Sequence, residues 1–135
     1  MPNRILLVDD EKDFLDVFGD WLDYKGYAVT KARDGAEALE KLKKGGYDLV
    51  ILDLMMPKFN GYDFCNAVKN DESLRGTPIL VLTAVPKANG MQTNDTYGIS
   101  GYLEKLTDHT EIALVIDRLI AKSKMDSNKD DSSPN

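Results

Sequence analysis

The stretch Asp48-Leu49-Val50-Ile51-Leu52-Asp53 decides the fold, because an unbroken apolar run ends there on a lone carboxylate. Such a run is typical of a strand buried on both faces, as in a parallel sheet covered by helices. In an open parallel sheet, functional groups gather just beyond the carboxyl ends of the strands, so polar residues at those ends are expected to share one site. Three other runs lead into such residues: 4–8 into Asp9 and Asp10, 78–82 into Thr83, and 101–104 into Lys105.

Amphipathic segments separate these runs, which is the pattern of repeated strand–helix units. Helical apolar spacing extends from Phe14 to Leu22, and Gly26 follows as a left-handed helix stop. The sequence therefore predicts an α/β domain with a parallel sheet and helices on both of its faces. A further strand is predicted at 27–32, and further helices at 36–44, at 61–70 and around 112–120.

The segment Lys87–Tyr97 departs from this regularity. It occupies the place of a helix between two strands, yet it is rich in Asn, Gly, Thr and Asp, which are poor helix formers. We predict that its helix is short, frayed or mobile.

Composition places the chain among single globular domains. It has 135 residues, of which 30% are charged and 42% hydrophobic, and its formal net charge is −6. That acidity argues against a nucleic-acid interface, and no apolar run approaches the roughly 20 residues of a membrane span. The lack of a secretory signal and the single cysteine, Cys65, which is expected in the core, favour a cytoplasmic location.

The last residues differ in composition from the rest of the chain. Almost no apolar residue occurs from Ser123 to Asn135. We therefore predict a folded domain over residues 1–122 and a disordered polar tail, or a truncated linker, over 123–135.

Three carboxylates are expected within a few ångströms of one another, those of Asp9, Asp10 and Asp53. Like charges this close repel unless a cation neutralises them. Mg²⁺ suits such a site and Mn²⁺ could replace it, whereas Zn²⁺ is disfavoured because the cluster contains no His or Cys. Asp53 can act as a nucleophile toward a phosphoryl group, whose oxygens Lys105 and Thr83 would contact.

Each of these residues also has an ordinary interpretation. Aspartates that follow strands often cap helices or form turns, and a lysine after a strand is usually solvated. The combination favours a functional site, because four separate strands contribute polar residues at the same end.

The chain resembles the receiver domains of bacterial two-component response regulators over residues 4–121. This resemblance implies a flavodoxin-like, doubly wound fold with strand order 2-1-3-4-5, as in the single-domain chemotaxis-type members. It depends on four motifs: Leu7-Val8-Asp9-Asp10, Asp53-Leu54-Met55-Met56-Pro57 with Gly61, Leu82-Thr83-Ala84, and Tyr102-Leu103-Glu104-Lys105.

The resemblance also implies a role for each matching residue. Asp53 would be the phosphoacceptor and would bind Mg²⁺ directly together with Asp10 and the backbone carbonyl of Met55, while Asp9 would act through water. Thr83 and Tyr102 match the switch pair of the family, in which the hydroxyl moves toward the phosphoryl group and the ring turns inward behind it.

The function implied by the resemblance is a phosphorylation-controlled signalling switch. A histidine kinase or a histidine phosphotransfer protein would supply the phosphoryl group, and the face formed by 87–97, the last strand and the last helix would carry the output to a downstream protein. The domain would catalyse its own phosphorylation without being a conventional enzyme. The sequence leaves open the cognate kinase, the target and whether two copies pair.

Two departures from the family pattern carry predictions. Leu106 follows Lys105 where the family usually has a proline joined by a cis bond, and because a cis bond before another residue costs about 2.5–4 kcal/mol, we predict a trans bond. Met55 and Val85, two residues after the phosphoacceptor and the switch hydroxyl, are apolar and cannot orient a water, so phospho-Asp53 should hydrolyse slowly.

Three alternatives stand beside this function. A receiver-like interaction module that works without phosphorylation is kept open by Leu106. A phosphatase of the haloacid dehalogenase type would need a second acid two residues after its nucleophile, where Met55 stands. A flavodoxin-like nucleotide binder is disfavoured, because the acidic loop 9–13 lacks the backbone cradle that phosphates prefer.

Overall fold

Five strands form a parallel sheet that carries the functional residues at one edge. The computed structural model describes residues 2–56, 59–84 and 98–131. The strands are β1 (Arg4–Val8), β2 (Ala28–Ala32), β3 (Leu49–Leu52), β6 (Ile79–Thr83) and β7 (Gly101–Glu104). Their order in the sheet is β2-β1-β3-β6-β7, which is the predicted order of the second, first, third, fourth and fifth long strands. The α/β prediction is therefore confirmed, with strand ends within one residue of those expected.

Apolar clusters on both faces explain why the central strand β3 contains no polar residue. Alternate side chains of a strand point to opposite faces, so Val50 joins one cluster and Ile51 joins the other. One cluster packs β3 against helices α2 (Gly35–Lys43) and α3 (Gly61–Lys69). The other packs it against helix α1 (Lys12–Tyr24) and the C-terminal helix (His109–Asp131).

Local signals in the sequence set the ends of two helices. The Asp34 side chain accepts a hydrogen bond of 2.7 Å from the backbone N–H of Glu37, which caps the start of α2. Gly26, which follows α1, has a φ of +99°, as its predicted role as a left-handed stop requires. Both helices consequently begin or end where short-range chemistry demands.

A small hairpin follows β3 and was not predicted. Its strands β4 (Met55–Met56) and β5 (Phe59–Asn60) pair antiparallel directly after the loop that contains Asp53. Gly61 closes this unit with a 3.1 Å hydrogen bond from its N–H to the carbonyl of Leu54. A Cβ at position 61 would lie 2.6 Å from the Leu54 Cα, so only glycine fits this close approach.

The C-terminal helix extends beyond the predicted domain boundary. It runs to Asp131, nine residues past the boundary at residue 122 that composition predicted. The Ser123 hydroxyl donates to the Gly76 carbonyl at 3.2 Å, and the Lys124 ammonium donates to Asn3 Oδ1 at 2.7 Å. These two tertiary contacts hold the helix in the turn that follows the buried Ile120.

Some predictions fall outside the described residues. They include the weak helix at Lys87–Tyr97 and the slow hydrolysis that depends on Val85 and on the Met55 side chain. Within the described ranges, no helix combines the length and the apolar character that crossing a bilayer requires.

Candidate functional site at the carboxyl edge of the sheet

Backbone hydrogen bonds align the ends of neighbouring strands and so fix the floor of the site. The N–H of Asp9 donates to the Ala32 carbonyl at 3.1 Å, and the N–H of Asp53 donates to the Val8 carbonyl at 3.2 Å. On the other side of the sheet, the N–H of Lys105 donates to the Thr83 carbonyl at 2.8 Å. Asp9, Asp53 and Lys105 are therefore each the first residue past a strand, and each is held in register with the neighbouring strand.

The predicted acidic trio is brought together at this edge. Carboxylate oxygens of Asp9, Asp10 and Asp53 all lie within 4.8 Å of one another. Asp9 is 1% exposed and Asp53 is 6% exposed, whereas Asp10 lies nearer the solvent. Buried carboxylates this close repel strongly, because little water remains to screen them.

The Lys105 ammonium offsets part of this negative charge. Its Nζ lies 2.8 Å from Asp9 Oδ2 and 3.2 Å from Asp53 Oδ2, and its side chain is only 12% exposed. Burial alone would lower the pKa of the Lys105 ammonium, but its carboxylate partners outweigh burial and raise that pKa. The lysine therefore remains a cation within the site.

Two residues that the sequence did not single out also hold Lys105. Glu11 Oε1 lies 2.8 Å from its Nζ, and the ring centroid of Phe14 lies 4.3 Å from the same atom, within cation–π range. Both contacts come from the start of α1, and Glu11 is 94 residues from Lys105 along the chain. Their one advance signal is that α1 begins at the same sheet edge.

Burial raises the pKa of the Asp9 carboxyl, and the charge of Asp53 adds to the rise, while Lys105 and the N–H of Glu11 partly offset it. That N–H donates to Asp9 Oδ1 at 3.0 Å. Asp9 Oδ2 makes an ion pair with Lys105 but, among the described residues, accepts no hydrogen bond of good geometry. A buried carboxylate oxygen left in this state fits a further cation or a water that a cation orders.

The donor set suits Mg²⁺ or Mn²⁺. The cluster offers carboxylate oxygens and no nitrogen or sulfur ligand among the described residues, which matches hard divalent cations and not zinc. A divalent cation here would offset the excess of negative charge that Lys105 leaves.

Thr83 and Tyr102 occupy neighbouring strands behind the trio. Thr83 ends β6 and is fully buried, and Tyr102 in β7 pairs in register with Val81 and is 8% exposed. Burial, followed by the nearby charges of Tyr62 and Asp53, raises the pKa of the Tyr102 phenol to about 12. The ring lies in the apolar cluster on the α2 and α3 side of the sheet.

The loop after Lys105 agrees with the prediction made for it. No cis peptide bond occurs in the described residues, so the Lys105–Leu106 bond is trans, as predicted. The Leu106 side chain is 97% exposed and packs against little.

Cys65 is fully buried, as expected of a core thiol, and burial raises its pKa to about 12.

A family model for the response regulator receiver domain matches residues 5–117. The chain belongs to the response regulator receiver domains. The receiver domain has the predicted flavodoxin-like fold, and it forms part of a two-component system. Receiver domains are phosphoacceptor signalling domains that histidine kinases phosphorylate, and they bind Mg²⁺ at an acidic pocket.

Several known proteins are similar to this receiver domain. The response regulator SaeR of Staphylococcus aureus is 33% identical over 121 residues, which are 90% of this chain and 52% of that protein. The chemotaxis response regulator CheY4 of Vibrio cholerae has a TM-score of 0.80 at 31% identity, over 88% of this chain and 99% of its own. The response regulator TrrA of Thermotoga maritima, solved with Mg²⁺-BeF, has a TM-score of 0.77 at 30% identity, over 87% and 98%. The receiver domain spans about half the length of the curated relatives that it matches.

Proposed function

We propose that this receiver domain is a Mg²⁺-dependent switch that accepts a phosphoryl group on Asp53 from a histidine kinase or a histidine phosphotransfer protein. The observation that carries the proposal is the convergence of Asp53 with Asp9, Asp10 and Lys105 at one edge of the sheet. The similarity to TrrA, which was solved with Mg²⁺-BeF, supports it. We take residues 1–122 as the switch unit and the cytoplasm as its location.

Asp10, Asp53 and the backbone carbonyl of Met55 would hold the metal, with Asp9 acting through water. When bound, the ion supplies positive charge that offsets the carboxylates and the phosphoryl oxygens. Asp53 is well placed to be the acceptor, because it ends the central strand on a backbone hydrogen bond to Val8.

The transfer forms one bond and breaks another. An Asp53 carboxylate oxygen bonds to phosphorus while the phosphorus–nitrogen bond of the donor's phosphohistidine breaks, and that electron pair leaves on the imidazole nitrogen. Lys105 exchanges its contact with Asp53 for a phosphoryl oxygen, and the Thr83 hydroxyl donates to another. The Lys105 ammonium and the Thr83 hydroxyl would thereby stabilise the negative charge that builds up on the phosphoryl oxygens.

Phosphorylation would then bias the pair formed by Thr83 and Tyr102. Movement of the Thr83 hydroxyl toward phosphate favours the inward position of the Tyr102 ring and alters the face of 87–97, β7 and the C-terminal helix. A downstream protein would read that face. Phospho-Asp53 would persist, because Met55 and Val85 provide no group to orient an attacking water.

The acceptor can be tested on the purified protein with Mg²⁺ and acetyl phosphate. The intact mass should rise by one phosphoryl group in the wild type and in Asp48→Asn, a matched change at the other end of the same strand. Asp53→Asn should remain unmodified. A wild type that gains no mass with this donor and binds no beryllofluoride would rule the proposal out.

A further inference from the structure

The surroundings of Lys105 contain one carboxylate that does not belong to the acidic trio. Among the described residues, its Nζ makes ion pairs with Asp9, Asp53 and Glu11. Glu11 approaches as closely as Asp9 does, at 2.8 Å, although its own side chain is 65% exposed. Glu11 is therefore the exposed partner of the ammonium, and the two aspartates are its buried partners.

Glu11 is the N-cap residue of α1, but its side chain does not cap that helix. Its backbone is extended, with φ −85° and ψ 109°, and it makes no side-chain hydrogen bond to the first turn. Short polar side chains are preferred at this position because they reach the N–H groups of the helix. The longer glutamate reaches Lys105 instead, so its side chain serves the site and not the helix end.

The backbone of Glu11 is itself fixed by the site. Its N–H donates to Asp9 Oδ1 at 3.0 Å, which ties the start of α1 to the buried carboxylate. Phe14, one turn further along, places its ring 4.3 Å from the Lys105 Nζ. The start of α1 therefore contacts the ammonium through both a carboxylate and an aromatic face.

Phosphoryl transfer changes the charges around Lys105 unequally. Once Asp53 carries a phosphoryl group, its carboxylate has become part of an acyl phosphate, a mixed anhydride, and the charge of Asp9 would be offset by the metal ion. Glu11 alone among the three ion-pair partners keeps a full, uncommitted carboxylate. It can hold the ammonium beside the acidic trio while the contacts of the ammonium with Asp9 and Asp53 change.

The loop that follows Lys105 offers little alternative support. Leu106 is 97% exposed, and the bond that precedes it is trans. Beyond the Lys105 N–H bond to Thr83, the turn is closed by a 3.0 Å bond from the Thr107 N–H to the Glu104 carbonyl. Neither bond restrains the four-carbon side chain of the lysine.

We infer that Glu11 is a positioning residue, which holds the Lys105 ammonium beside the acidic trio throughout phosphoryl transfer. This inference rests on the proposed function of Asp53. It assigns Glu11 no contact with the phosphoryl group and no place among the metal ligands.

A double-mutant cycle tests whether Glu11 acts through Lys105. Phosphorylation by acetyl phosphate at fixed Mg²⁺ is timed for wild type, Glu11→Gln, Lys105→Ala and the double variant. We expect Glu11→Gln to slow the reaction about threefold to tenfold, within the coupling range of contacting residues, and to have no further effect when Lys105 is absent. Equal slowing in both backgrounds would overturn the inference.

Two further variants separate contact from general charge. Asp13→Asn removes a carboxylate from the same first turn of α1, and its rate should stay within about a factor of two of the wild type because surface charges contribute little. Glu11→Asp keeps the charge on a shorter side chain and should be as slow as Glu11→Gln. Full activity in Glu11→Asp, or equal losses in Asp13→Asn and Glu11→Gln, would contradict a contact role.

A second measurement does not depend on phosphorylation. In the metal-free wild type, the held ammonium of Lys105 should give an ¹⁵N–¹H NMR signal, which should persist in Asp13→Asn and disappear through fast exchange in Glu11→Gln. A signal unchanged in Glu11→Gln would refute the inference. If the wild type accepts no phosphoryl group, the proposed function fails, while this signal still decides whether Glu11 orders the lysine.

Discussion

The two ends of the parallel sheet treat charge in opposite ways. At the amino end, the Arg4 N–H bonds to Asp48 Oδ2 at 2.8 Å, and its guanidinium donates to the Gly45 carbonyl at 3.2 Å and lies 4.5 Å from the Tyr47 ring. This exposed cluster has one cation, one carboxylate and neutral partners.

At the carboxyl end, four carboxylates lie around one ammonium, which makes ion pairs with three of them, and two of the four are almost fully buried. Asp9 and Asp53 have little solvent to screen them, and Asp10 and Glu11 add to the negative charge. Folding gains nothing from such an excess, because buried like charges raise the free energy of the native state. The amino end is arranged for stability, whereas the carboxyl end keeps a deficit of positive charge that a ligand can fill.

Among the changes considered, binding of Mg²⁺ at the carboxyl end should have the largest effect on the free energy of unfolding. A ligand that binds only the native state at about 100 times its dissociation constant stabilises it by about 2.7 kcal/mol. Urea unfolding with Mg²⁺ and with EDTA would measure the gain, which should fall sharply in Asp10→Asn and remain in Arg4→Gln. A gain of equal size in Asp10→Asn would mean that the ion stabilises some other part of the molecule.

Removal of Lys105 should have the next largest effect. Lys105→Met leaves the buried Asp9 without its cation, and breaking a largely buried pair in this way should destabilise the metal-free protein by about 2 kcal/mol. Unfolding in EDTA would measure the loss, and Mg²⁺ should restore part of it. A metal-free variant as stable as the wild type would show that repulsion at this end has been overestimated.

Neutralising one acid of the trio should have the opposite sign. Asp10→Asn removes a repulsive charge from a partly exposed position, and it should stabilise the metal-free protein by about 1 kcal/mol at the high effective dielectric constant there. Asp13→Asn, outside the cluster, is the control and should leave the free energy of unfolding almost unchanged. Destabilisation by Asp10→Asn would imply a structural role for its carboxylate.

The amino end should respond least. Arg4→Gln removes an exposed cation–π contact and a carbonyl hydrogen bond, and it should destabilise by about 0.5 kcal/mol with or without Mg²⁺. Its rate of phosphorylation by acetyl phosphate should equal that of the wild type. A Mg²⁺-dependent change in its stability would contradict the separation of the two ends.

The sequence predicts most of the site because of a simple geometric rule. Asp9, Asp53 and Lys105 each follow a strand, Thr83 ends one, and the carboxyl ends of parallel strands meet at one edge. Because both faces of the sheet are buried, each strand appears in the sequence as a nearly continuous apolar run, most clearly at 48–53. The position of each functional residue past its strand follows from the same pattern.

The contacts that were missed depend on side-chain reach between distant segments. Nothing near Glu11 in the sequence indicates that it bonds to Lys105 and leaves its own helix uncapped. The extension of the C-terminal helix likewise depends on Gly76 and Asn3, which meet Ser123 and Lys124 only in the folded chain. The β4–β5 hairpin escaped because strands of two residues have no measurable periodicity.

Gly61 affects the position of Asp53 relative to the carboxyl edge of the sheet. Any side chain at position 61 would press against the Leu54 backbone, with its Cβ only 2.6 Å from the Leu54 Cα, and would displace the residues beside Asp53. The absence of a side chain at the start of α3 thus allows the two backbone segments to lie in direct contact. Protein engineers who vary this loop should therefore leave Gly61 unchanged.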